Sequence, residues 1–151
     1  MDDIPKLNYI LVGVDGSKYA EAALEKAIEL TKKYKVPLNI VHVVDMHRQL
    51  YSFPTPGARL KLDEKQKASI QSLLNMYEEK ARSMGIENVS TKILLATTHA
   101  GAAIVAEAEK NCPVIVVIGT RGIGGISRMV MGSVAEYVSK NSPCDVYIVK
   151  S

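Results

Sequence analysis

The chain alternates short, almost wholly apolar runs with longer segments in which apolar residues recur every three or four positions. Ile10 to Val14 is an apolar, β-branched run ending in Asp15-Gly16-Ser17, and beyond it Ala20, Ala23, Leu24, Ala27, Ile28 and Thr31 fall on one stripe. That order predicts strand, turn and helix. Pro37 is expected to break the helix, and Leu38 to Val44 forms a second continuous apolar strand. From Asp63 the helical spacing returns with Ile70, Leu73, Leu74, Tyr77, Ala81 and Met84, and Gly85 closes it. Val89 to Leu95 predicts a third strand, and Gly101 to Lys110 a short alanine-rich helix. Val114 to Ile118 is the fourth strand, Ser133 to Lys140 the last helix and Val146 to Val149 the last strand. One long connection, Met46 to Lys61, contains Pro54, Pro56 and Gly57, and loops of this length tend to be lids or disordered.

Strands that are uniformly apolar rather than alternating are buried on both faces. Interleaved with helices, they indicate a mostly parallel sheet covered on both sides, an α/β doubly wound fold of five strands and four helices. A length of 151 residues fits one such domain with a core that needs no staples. In open sheets of this type ligands sit at the carboxyl ends of strands where the strand order reverses. The ends that matter are therefore Val14-Asp15, Val43-Asp45, Leu95-Thr98 and Ile118-Gly119.

Charge and composition narrow the function. Nineteen basic and 16 acidic residues give a net charge of +3, too small and too dispersed an excess to imply nucleic acid. With no tryptophan and one phenylalanine, there is little for base stacking. No apolar stretch approaches the roughly 20 residues of a membrane span. Met1 to Asn8 has neither the basic nor the apolar segment of a secretory leader, so a cytoplasmic protein is expected. Cys112 and Cys144 show no metal or redox spacing and are expected to be separate, reduced, buried or half-buried residues. His42, inside an apolar strand, is expected to be a hydrogen-bonded core residue. His47 and His99 have no partner in a catalytic or metal pattern, and Tyr51 and Phe53 are expected to be exposed on the long connection.

The richest chemistry lies in "GTRGIGGISRMVMGS", Gly119 to Ser133, with five glycines and two arginines in fifteen positions. Ordering so much glycine is entropically costly, which suggests backbone in special dihedrals or close against something. As a Walker A loop the stretch fails, because Gly125 and Ile126 stand where lysine and serine or threonine are needed. It also fails as a dinucleotide fingerprint: it follows the fourth strand, and Ser127 replaces the third small residue. What remains is Gly119-x2-Gly122-x9-Gly132-Ser133. From Val114 to Ala135 there is no acidic residue, whereas Arg121 and Arg128 are present, so the local field favours an anion. Ser133 opens a helix whose first-turn amides and dipole suit a phosphate. Ser133-Val134-Ala135-Glu136 also reads as a capping box, so spacing leaves phosphate binding and plain turn geometry both open.

"GTRGIGGISRMVMGSVAEYVSKNSPCDVYIVK" resembles the C-terminal signature of the universal stress protein family, whose ATP-binding branch carries Gly-x2-Gly-x9-Gly-Ser/Thr. "ILVGVDGSKYAEAALEKAIEL" and "LNIVHVVD" resemble its first strand and helix and its second strand. The resemblance implies a Rossmann-like sheet of order 3-2-1-4-5 and a homodimer formed through Val146 to Val149. It places Val14 and Asp15 at the adenine and ribose, the Val43 backbone at the adenine edge and Ile118-Gly119 at the ribose. Gly122, Gly132, Ser133 and Val134 would hold phosphates, with Arg121 in the variable part of the loop. The implied ligand is ATP or another adenine nucleotide, with magnesium or manganese carried on its phosphates. With no Walker lysine and no Ser/His/Asp set, a binder or regulator is expected rather than an efficient hydrolase; a slow partner-dependent ATPase and a nucleotide-independent dimeric scaffold are the alternatives.

Overall fold

Ile10, Leu11 and Val12 are consecutive and all buried, which requires cover on both faces of their strand. The computed structural model, which describes residues 6–46, 62–112, 114–121 and 131–150, supplies that cover. Its elements in chain order are β1 (Tyr9–Gly13), α1 (Lys18–Tyr34), β2 (Leu38–Asp45), α2 (Glu64–Ser83), β3 (Val89–Ala96), α3 (Ala100–Asn111), β4 (Val114–Gly119), α4 (Ser133–Asn141) and β5 (Asp145–Val149). The sheet runs β3-β2-β1-β4-β5 with every pair parallel. This is the expected doubly wound α/β fold, with β1 at its centre.

Two cores follow from the pleat. Ile10, Val12 and Val14 point to α1 and α2, where Leu24, Ile28, Leu74 and Tyr77 complete one apolar layer. Leu11, Val116 and Ile118 point to the other face, against Ile104, Val105, Ala135 and Val138 of α3 and α4. Each fully buried Leu or Ile contributes about 1.5–3 kcal/mol.

Helix α1 starts where the sequence places it, with the Ala20 N–H donating to Ser17 Oγ at 3.1 Å. It stops before Pro37 is reached: Lys35 takes φ 55°, and its N–H donates to the Thr31 carbonyl at 2.9 Å. The two ends of α2 are equally local, a capping box between Asp63 and Gln66 and a turn through Gly85 at φ 99°.

Two expectations need correction. Met84 is not on the apolar stripe of α2 but caps its end, 39% exposed. Met46, the first residue of the long connection as read from sequence, is wholly buried just past the end of β2, its N–H donating to Ala96 O at 2.8 Å. The rest of that connection, with His47, Tyr51 and Phe53, lies outside the described residues. Cys112 and Cys144 are not separate thiols but a disulfide, with Cα atoms 6.0 Å apart. They stand 32 positions apart in sequence, but Cys112 lies two residues before β4 and Cys144 immediately before β5, and β4 and β5 are parallel neighbours whose starts lie side by side.

Candidate functional site

The strand order reverses between β1 and β4, so the carboxyl ends of these two strands frame the crevice. Val12 is opposite Val117, and two residues further on each chain come Val14 and Gly119. The Val14 peptide is held by β2 on both sides. Its N–H donates to Val41 O at 2.9 Å, and its carbonyl lies 2.8 Å from His42 Nδ1. A carbonyl only accepts, so this contact assigns the ring proton to Nδ1. His42 makes the hydrogen bond expected from sequence, but it is half-buried rather than a core residue. Val43, the next residue, is half-buried against the second core and pairs with Leu94.

Beyond Val14 the chain turns sharply. Asp15 Oδ1 accepts the Ser17 N–H at 2.9 Å, and Gly16 at φ 87° supplies the left-handed residue such a turn needs. Tyr77 of α2 reaches this turn through a hydrogen bond with the Gly16 backbone. Burial pushes its phenol above the ordinary tyrosine value, and the Asp15 carboxylate adds to the rise. A folded-state value raised above the unfolded one gives stability that is complete below about pH 10 and is lost as pH climbs through the folded value. Chemical denaturation of wild type and Tyr77→Phe from pH 9 to 11 checks this. The variant's stability is expected to fall less steeply, and identical slopes would refute it.

At the end of β4 the backbone is tightly packed. A side chain on Gly119 would put its Cβ 3.0 Å from the Tyr19 Cβ and carbonyl oxygen, so the first turn of α1 requires glycine here. Thr120 donates its N–H to Val149 O at 3.1 Å and accepts the Gly132 N–H at 2.6 Å. That bond forms the neck of the loop: the chain leaves after Gly119 and returns at Gly132. Arg121 stacks its guanidinium 5.1 Å from the Tyr19 ring centre, and its Nε is buried without a hydrogen-bond partner among the described residues.

The start of α4 differs from expectation. Gly132, in extended conformation, is the N-cap; Ser133 is the first helical residue, and no side chain caps the helix. The predicted capping box is absent, because the neck fixes Gly132 one residue earlier and Glu136 instead pairs with Lys140 at 2.9 Å. The lysine lowers the Glu136 carboxyl below its ordinary value. The first-turn amides of Ser133, Val134 and Ala135 therefore face the crevice end of the helix with no side-chain oxygen from the N-cap, the arrangement that accepts an anion.

The structure brings Val14, Asp15, Ile118, Gly119, Arg121, Gly132, Ser133 and Val134 to one end of the sheet, with Val43 one strand further out. Gly122 lies outside the described residues. His99 is structural: its Nδ1 accepts the Ala102 N–H at 3.2 Å, and its ring meets Tyr137 edge-on at 4.4 Å. Among the described residues no group of three or more His, Cys, Asp or Glu side chains is placed to hold a metal ion. Sequence reasoning missed Tyr19 and Thr120, and read Tyr77 only as part of the apolar stripe of α2. Tyr19 left a trace there as an aromatic just after the cap and off the buried stripe; Thr120 left none.

Comparisons with known proteins agree with this architecture. The model of the universal stress protein family matches residues 7–150. A protein of Staphylococcus saprophyticus named as a universal stress protein is 33% identical over 142 residues, covering 94% of this chain and 83% of its own. Among solved structures, a universal stress protein in complex with cAMP superimposes with a TM-score of 0.74 at 20% identity, covering 97% of this chain and all of its own. The Archaeoglobus fulgidus universal stress protein in complex with dAMP gives 0.68 at 21% identity, with coverage of 97% and 100%. With a family match over nearly its whole length and a relative at one-third identity, the chain belongs to the universal stress protein family.

Proposed function

We propose that this protein binds an adenine nucleotide, ATP or its lower phosphates, at the β1/β4 crevice and acts as a homodimeric stress-response regulator. The observation that carries the reading is the uncapped start of α4 beside Arg121, directly across the switch point from the Val14–Asp15 turn. Val14 and the Val43 backbone take the adenine, Asp15 and Ile118-Gly119 the ribose, and Arg121, Gly122, Ser133 and Val134 the phosphates. Gly132 acts by shape, since its amide is already bonded to Thr120. The cAMP and dAMP held by the two structural relatives support adenine as the base. Magnesium or manganese would ride on the phosphates, which fits an Asp15 carboxylate already engaged by the Ser17 amide.

Binding without efficient hydrolysis is the proposed mode, with the protein in the cytoplasm. The nucleotide positions its phosphates on fixed amides, and its state alters what the dimer presents. Calorimetry with ATP, ADP and AMP on nucleotide-stripped protein tests this. Saturable binding is expected, and no heat at millimolar ligand would sink the reading.

The dimer rests on β5, a five-residue strand bonded to β4 alone among the described residues, with its other edge open. Tyr147 on it is 40% exposed, while Val146 and Ile148 pack into the second core. Tyr147→Asp therefore places a charge on the edge without cutting the core. It is expected to yield monomers by light scattering with an unchanged circular dichroism spectrum; a fully dimeric variant would contradict pairing through β5.

A further inference from the structure

We propose that Cys112 and Cys144 are a reversible thiol–disulfide modification site whose oxidised form clamps the edge strand β5 to the sheet. The disulfide joins the C-cap of α3 to the residue before β5. The loop it closes contains β4, the segment from Thr120 to Gly132 and the whole of α4. Among the described residues β5 pairs with one neighbour only and is five residues long; Val146, Ile148 and Val149 pack into the cores and the Thr120 N–H bonds Val149 O, but these ties favour its far end over its start. A covalent tie at the residue before it limits the fraying that short edge strands otherwise undergo.

The two sulfurs differ in access. Cys112 is exposed, whereas Cys144 is half-buried in a turn where its N–H donates to Ser142 Oγ at 3.1 Å. The Ser142 hydroxyl in turn donates to Cys144 O at 2.9 Å, so the turn keeps its shape when the disulfide opens. A dithiol reductant is the fitting partner. One of its thiolates attacks Cys112 Sγ, the S–S bond breaks, and Cys144 leaves as a thiolate that takes a proton. The second thiol then displaces Cys112 from the mixed disulfide. The protein gains two electrons and two protons, and the reductant becomes a disulfide. A low-molecular-weight disulfide reverses the sequence. Neither cysteine belongs to the proposed nucleotide site, so this inference stands apart from that reading.

Wild-type protein is incubated with oxidised glutathione or with dithiothreitol, alkylated without denaturation, and weighed by mass spectrometry. The oxidised sample is expected to take no label and the reduced sample two. Amide exchange of residues 145–149 should quicken at least tenfold on reduction, while β1 and β2 stay protected. The melting temperature should fall by about 10 °C, from the closure of a 32-residue separation. The double variant Cys112→Ser, Cys144→Ser should match the reduced protein and ignore dithiothreitol. Two labels after oxidised glutathione, or β5 exchange that is the same in both states, would overturn the proposal. Both readouts are made on wild type, so they hold even where the variant fails to fold.

Discussion

Gly132→Val is expected to weaken adenine-nucleotide binding about 10- to 100-fold while leaving the sheet intact, from the loss of one or two charge-assisted hydrogen bonds. The backbone is not the obstacle, since φ −63° and ψ 156° suit valine. Space is. A Cβ here would lie 3.1 Å from the Thr120 carbonyl oxygen and 3.3 Å from Arg121 Cα, both main-chain atoms, and valine adds two methyl groups. Thr120 cannot simply retreat, because its N–H is tied to Val149 on β5. The neck must open instead, which parts the α4 amides from Arg121. Calorimetry with ATP and a thermal melt of the same sample check this. A dissociation constant within twofold of wild type, on a folded variant, would remove the cradle from consideration. Gly132→Ala, with one methyl, should fall between the two.

Much of this site was legible in the sequence because its parts are local. Uniform apolar runs betray strands buried on both faces, and a turn of Asp15, Gly16 and Ser17 betrays a helix start; both needed only neighbouring residues. The glycine spacing likewise fixed where the loop leaves and returns, since close backbone approach leaves its mark as missing side chains. What failed depended on contacts between distant segments. The cysteines meet because β4 and β5 are adjacent and parallel, which no spacing rule over 32 residues reports. Ser133 was assigned the cap by its type, but the bond from Gly132 to Thr120 moved the helix start by one position. Met46 does lie in the connection after β2, but its burial left no local sign, because the bond that draws it inward comes from Ala96 on β3. Tyr19 is the same case from the other side: its value lies in meeting Gly119 and Arg121, a hundred residues away in the chain.

His42→Leu should act on stability and binding together, because His42 holds the peptide on which the proposed adenine contact depends. Its Nδ1–H donates to Val14 O at 2.8 Å, and leucine fills the space without replacing the donor. Val14 is 4% exposed, so water has little access to the abandoned carbonyl. An unsatisfied buried acceptor costs about 1–3 kcal/mol, which lowers the melting temperature of a domain this size by roughly 2–12 °C. The Val14 N–H keeps its bond to Val41 O, so the strand stays paired while its last peptide is released to rotate. Nucleotide affinity should fall about tenfold, one misplaced contact at the base. His42→Asn, which offers an amide N–H from a shorter side chain, should recover part of both losses. Thermal melts and calorimetry on the three proteins decide the matter, together with the Nδ1 chemical shift of His42 with and without AMP. A leucine variant that melts lower yet binds as wild type would make the histidine a purely structural tie, whereas an Nδ1 that carries no proton would remove the donor on which both effects rest.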